Sequence, residues 1–217
     1  VEVVMVTAFA TAENAVQALT CLRSRTVAVL SSTSPGFTAL RGYAGNGASA
    51  YIDFGVAASA LTNFTQNSAH IGFYVQSGDG VTSLWVGARD SGSGFSSDAN
   101  SGTTTTGSFS VQSGSSGTNF SQGGQSGMHI VDRQSSTVAS WARNGADTDT
   151  DKTVSSSSGR ATSNLTALAR NTSGSYAQHS SSRLAMVSFG RSLAASGRTT
   201  FAIAVNAYMT SVGANTY

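Results

Sequence analysis

The densest run of acid in this chain is Asp147-Thr148-Asp149-Thr150-Asp151, three carboxylates spaced two apart. Oxygens at that spacing could ligate Ca2+ in a loop. The EF-hand pattern itself fails, because Lys152 falls where glycine is needed and Ser158 where the last acid is needed. Asp147, Asp149 and Asp151 therefore stand as candidate metal ligands beside a plainer reading, a solvated loop after the Asn144-Gly145 turn. A second chemistry is sugar binding. It calls for an aromatic face against sugar C–H surfaces, with hydrogen-bonding side chains beside it to fix orientation. Trp85 with Arg89 and Asp90 offers that set, and so does Tyr74 on what reads as the polar face of its strand. Trp141 reads as core.

Bond-breaking chemistry finds less. Glycoside hydrolysis needs two carboxyl groups flanking the scissile bond. Both glutamates, Glu2 and Glu13, lie in the first 13 residues, and none of the strands expected below carries two acids on one face. No Gly-x-Ser-x-Gly elbow occurs. His70, His129 and His179 stand singly, each reading as a hydrogen-bonded strand or loop residue. Cys21 is alone, which excludes an internal disulfide and reads as a small buried apolar residue. The expectation is a protein without enzymatic activity of its own.

Composition narrows the class. The chain has 217 residues, 10% charged and 39% hydrophobic, with a formal net charge of +2. Its 38 Ser and 25 Thr dominate the polar side. So few charges, spread along the chain, leave no basic footprint for nucleic acid. Hydrophobic content is too high for a disordered chain, and no run of about 18 apolar residues exists to insert in a membrane. The length suits one domain over 1–217. The start without Met fits either a processed chain or part of a longer one.

The elements that would position these residues are mostly strands. Ala69, Ile71, Phe73 and Val75 alternate with His70, Gly72, Tyr74 and Gln76, which predicts a strand with one face buried and one wet. Further strands are expected over 25–30, 81–89, 128–133, 137–143, 165–170 and 184–189. Asn46-Gly47 and Asn144-Gly145 read as two-residue turns. The Ser/Gly/Thr-rich stretch 91–127 reads as short strands and turns on a larger sheet. Short helices are expected near both ends. One covers 11–19, with Thr11 as N-cap. The other covers 198–212, with Phe201, Val205, Tyr208 and Val212 as its apolar stripe, Ser196 as N-cap and Gly213 as C′ residue. Turn signals every 8–12 residues point to an all-β, antiparallel β-sandwich.

Several segments resemble known proteins. His129-Ile130-Val131-Asp132-Arg133, Ser140 to Gly145, and Ala185 to Leu193 resemble the concanavalin A-like, laminin G-like jelly-roll domains. Ala12 to Leu19, Phe37 to Gly47 and Thr65 to Ala69 resemble C-terminal domains of tailed-bacteriophage structural proteins. That resemblance implies a virion surface module, a tail fibre, tail tip or capsid-fibre decoration, that binds host glycans or decorates the particle. The charge-poor surface also suits self-association into a homo-oligomer, with other virion proteins as partners, and the laminin G-like resemblance implies Ca2+ as the one cofactor to consider. A carbohydrate-active enzyme or its binding module is the first alternative. A secreted adhesion domain is the second.

Overall fold

The computed structural model describes residues 3–6, 28–78, 84–91, 96–101, 106–113, 118–121 and 125–216, without the side chains of 3–6, 84, 85, 96, 100, 101 and 109–113. The helix expected over 11–19 and Cys21 lie outside the described residues. In chain order the strands are β1 (Val3–Val6), β2 (Val29–Leu30), β3 (Gly36–Thr38), β4 (Gly42–Ala44), β5 (Ile52–Ala57), β6 (Ala69–Ser77), β7 (Leu84–Arg89), β8 (Ser96–Ser101) and β9 (Thr106–Ser113). They continue as β10 (Thr118–Ser121), β11 (Gly127–Arg133), β12 (Val138–Arg143), β13 (Ala146–Thr153), β14 (Asn164–Ala167), β15 (Arg170–Thr172), β16 (Ser175–Ala177) and β17 (Arg183–Gly190). One α-helix, α1 (Ala195–Ser211), is present among the described residues.

Two sheets share a core. Sheet I runs β13-β12-β11-β6-β17-β4-β3, with β1 also on β17. Sheet II runs β10-β9-β8-β7-β14-β5-β2, with β15 on β7 and β16 on β15. Pairing is antiparallel apart from β15 on β7. Ile71, Phe73, Val131, Trp141, Val187 and Phe189 of sheet I meet Ile52, Phe54, Val86, Ala99, Leu165 and Phe120 of sheet II. Phe189 takes Phe54 and Phe64 edge-on, at 5.6 and 6.0 Å between centroids, a preferred aromatic geometry. Within this core Trp141 is fully buried, and its indole N–H donates to His129 Nδ1 (3.2 Å). His129 Nε2–H donates onward to the Gln125 carbonyl (2.8 Å). The imidazole is thereby held neutral, and burial pushes its pKa down to about 4.

The alternation along Ala69–Ser77 is present, but the expected wet face is not. His70, Gly72, Tyr74 and Gln76 are all buried. They lie under α1, which closes a second hydrophobic cluster of Tyr74, Met128, Ile130, Met186, Val205 and Met209 on the outer side of sheet I. His70 donates from Nδ1 to the Arg191 carbonyl (2.7 Å), and burial brings its pKa down to about 4.

The helix itself is rotated from its expected stripe. Arg198, Ala202, Val205 and Met209 face the sheet, while Tyr208 is exposed. Small Ala202 lets the helix approach closely, near Gly145. Ala194, not Ser196, is the N-cap and supplies no side-chain bond. The C-terminus follows the expectation. Gly213 has φ +68, its N–H bonds Thr210, and Ala214 N–H bonds Met209, a Schellman closure.

Both Asn-Gly pairs turn the chain, in different ways. Asn144 and Gly145, at φ 53 and 84, make the β12–β13 hairpin. Asn46-Gly47 instead carries the chain from sheet I to sheet II. The Asn46 side-chain oxygen accepts the N–H groups of Ala48, Ser49 and Ala50. Gly45 sits at this crossing, where a Cβ would stand 1.8 Å from the Ser180 carbonyl oxygen. Gly45→Ala should therefore cost about 2–4 kcal/mol, within the range of severe single-site lesions, read as a lowered urea midpoint at unchanged m-value.

Candidate functional site

Two polar regions outside the core were candidates, one on each sheet. The first is an open cleft of about 640 Å³ between β13 and the start of α1, lined by Gln134, Asp147, Asp151, Ser192 and Arg198. Arg198 is 2% exposed. Its Nη1 donates to Asp132 (2.9 Å), and its Nε and Nη2 fork onto the two Asp147 oxygens (2.9 and 2.7 Å). Asp132 also accepts the Leu193 N–H (3.2 Å). The Gln134 amide bridges Arg198 and Asp151, at 2.9 Å to each. Two carboxylates clasped on one guanidinium are counter-ions. They are not an acid and a nucleophile free to attack a bond. Burial pushes the Asp132 carboxyl up to about 6, against the pull of Ser192, Arg198 and the Leu193 N–H.

The three spaced aspartates do not converge. They lie on strand β13, not in a loop, and each is engaged separately. Asp147 holds Arg198. Asp149 takes Lys152 (3.0 Å) and the Ser121 N–H (3.2 Å). Asp151, at φ 47, meets the Ser140 hydroxyl (3.4 Å). No cluster able to hold a metal ion occurs among the described residues.

Of the residues expected to bind sugar, those whose side chains are described serve structural partners. Tyr74 is buried in sheet I, with its hydroxyl bonded to Asn215 and Thr216. Arg89 pairs with Asp98 (3.2 Å) on sheet II, where burial raises the Asp98 carboxyl to about 6. Asp90 caps the approach to β14, accepting from the N–H and hydroxyl groups of Thr162 and Ser163. Trp85 lies on β7, and its side chain is outside the described residues.

The second region carries the aromatic surface. Tyr51, just before β5, stacks on Tyr176 of β16, with centroids 3.8 Å apart and planes 7° from parallel. His179 tilts beside Tyr51 at 6.3 Å. The Tyr176 hydroxyl donates to Asp53 Oδ2 (2.9 Å), which also meets the exposed Asn164 amide (3.4 Å). Asp53 Oδ1 accepts the Gly55 N–H (2.7 Å). Burial first, then Asp53 and Tyr51, raises the Tyr176 phenol well above its ordinary value. Ile52 and Phe54 point into the core, so Tyr51 and Asp53 fall on the outer face of sheet II. Val29, the register partner of Asp53, is 63% exposed there. Both rings are half-buried and stacked face to face, beside a carboxylate and an amide.

No protein-family model matches this chain, and no curated protein matches it. Among solved structures it is similar to the Trypanosoma rangeli sialidase in complex with the inhibitor DANA, at TM-score 0.54 and 9% identity over 84% of this chain and 30% of that one. The same sialidase with 2,3-difluoro-KDN gives 0.52 and 12% over 79% and 28%. A mutant of it displaying trans-sialidase activity gives 0.51 and 13% over 82% and 29%. The chain spans less than a third of those enzymes, and at these identities what is shared is fold. This corrects the expectation of a phage tail or capsid module. The shared fold is found in carbohydrate-active enzymes, and no similarity supports the virion reading.

The Arg198 clamp sets two expected outcomes. Arg198→Ala leaves Asp132 buried without its partner and should cost about 3–5 kcal/mol, whereas pairing Arg198→Met with Asp132→Asn should recover much of that loss. A denaturation series checks both. The pH profile follows from four buried groups. Unfolded, histidines titrate near 6.5 and aspartates near 3.9. Between about pH 4.5 and 6 the unfolded chain holds protons on His70 and His129, and the folded protein holds them on Asp98 and Asp132 instead. The histidine contributions are lost on acidification and the aspartate contributions are gained, so the four offset and stability from them stays level. Asp98→Asn removes one offset. Stability of that variant should climb with pH across the window by up to about 1.4 kcal/mol per unit, measured as chemical-denaturation free energy.

Proposed function

We propose that this chain is a glycan-binding accessory module of a larger carbohydrate-active protein, a sandwich of the concanavalin A-like jelly-roll kind that holds saccharide and breaks no bond itself. The observation that carries this reading is the rigid Tyr51–Tyr176 surface with Asp53 and Asn164 at its edge. A pyranose or furanose ring has apolar C–H faces and a polar rim. The first suits an aromatic plane, and the second suits a carboxylate and an amide placed beside it. The fold likeness to a part of sialidases supports an accessory role. The binding-only assignment is supported by the fate of Asp132, Asp147, Asp90 and Asp98, each of which serves a structural partner. Such a module works where polysaccharide is displayed, outside the cell.

Calorimetric titration against ligands found on a glycan array tests the assignment. Tyr176→Ala and Tyr51→Ala should each weaken binding at least tenfold with the circular dichroism spectrum retained. Tyr74→Phe, altered beneath the helix, should leave affinity unchanged. Affinity indifferent to both alanine variants would contradict the assignment.

A further inference from the structure

We infer that the Tyr51–Tyr176 platform selects uncharged saccharides and turns away acidic ones; this rests on the glycan-binding reading of the same surface. Asp53 is the reason. Its three hydrogen-bond donors are a phenol, an amide and a backbone N–H, all neutral. Among the described residues it makes no ion pair with a lysine or arginine. Its negative charge therefore faces an incoming ligand uncompensated.

Recognition of a sugar carboxylate ordinarily uses a cation, above all the arginine fork. Several arginines among the described residues are committed elsewhere. Arg198 is clasped by Asp132 and Asp147, and Arg89 pairs with Asp98. Arg133 and Arg160 each donate to backbone carbonyls. Arg170, on the strand next to Tyr176, interacts with Asp98. Burial first, and then Asp53 and Tyr51, raise the Tyr176 phenol, and among the described residues no cation acts on it.

For a neutral sugar the same groups are favourable. Asp53 accepts from a ring hydroxyl, and such charge-assisted bonds exceed neutral ones in strength. The exposed Asn164 amide offers a donor and an acceptor, and Val29 extends the apolar floor. The ligand class is a neutral oligosaccharide, with one ring lying flat on tyrosine and a hydroxyl directed at Asp53.

Matched pairs test this, each differing by one acidic unit: lactose against 3′-sialyllactose, and xylo-oligosaccharides without and with a glucuronate branch. The expected result is at least tenfold tighter binding of the neutral member. Raising salt should narrow that gap by screening the repulsion, and Asp53→Asn should narrow it by threefold or more. The salt series uses the unaltered protein and stands even where the variant fails to fold. Equal or tighter binding of acidic members, or a gap insensitive to salt, overturns the selectivity while leaving the glycan-binding reading in place. Absence of binding across a broad glycan array overturns both.

Discussion

A single buried guanidinium decides which surfaces of this molecule are available. Arg198 sits at the first turn of α1 with its three donor nitrogens on Asp132 and Asp147. Removing a charge from water is costly unless its partners are close and well aligned, and here the fork geometry and the Leu193 N–H complete the set. The clamp ties the start of the helix to β11 and β13 of sheet I. The Schellman closure at Gly213 fixes the other end, from which Asn215 and Thr216 reach back to Tyr74. Between these two points the helix covers His70, Gly72, Tyr74, Met128 and Ile130. Sheet I thereby loses the outer face around β6, β11 and β17, and the surface proposed for binding is on sheet II.

Charge scarcity reinforces that division. With ten acids in 217 residues, most described ones are consumed by structure. Asp132 and Asp147 hold the helix, Asp98 holds Arg89, Asp90 organises the entry to β14, and Asp149 ties β13 to β10 and Lys152. Asp53 differs because its partners are neutral and its surroundings half-open. A carboxylate beside stacked tyrosines on a strand surface is preorganised, since the rings are fixed by pairing of β5, β14, β15 and β16 and need not reorder on binding.

Local signals in the sequence were readable where one residue decides one conformation. Asn144-Gly145 specified a tight hairpin through two positive φ values, and Gly213 specified the helix stop. Period-two alternation in Ala69–Ser77 identified the strand and its inner face. It also implied a wet outer face, because alternation reports two different sides and not what covers each. His70, Gly72 and Tyr74 look polar or small, yet a helix more than a hundred residues later lies over them. The same limit hid the helix rotation: the stripe Phe201, Val205, Tyr208 and Val212 carries no sign that Asp132 and Asp147 lie beneath Arg198. Asn46-Gly47 looked like a hairpin because the dipeptide is the same, although its Asn side-chain oxygen instead accepts the N–H groups of Ala48, Ser49 and Ala50. The platform was not legible at all. Asp53 and Tyr176 lie 123 positions apart, and neither stands in a motif. Only the sheet order brings them together.

The central claim is that α1 forecloses one sheet and leaves saccharide to the other. A crystal structure of the domain with a bound neutral oligosaccharide tests it most directly. The account predicts a sugar ring flat against Tyr51 or Tyr176 with a hydroxyl at Asp53, and α1 seated as it is in the free protein. A sugar lodged in the cleft beside Arg198 and Asp151, or one that displaces the helix from sheet I, would contradict it.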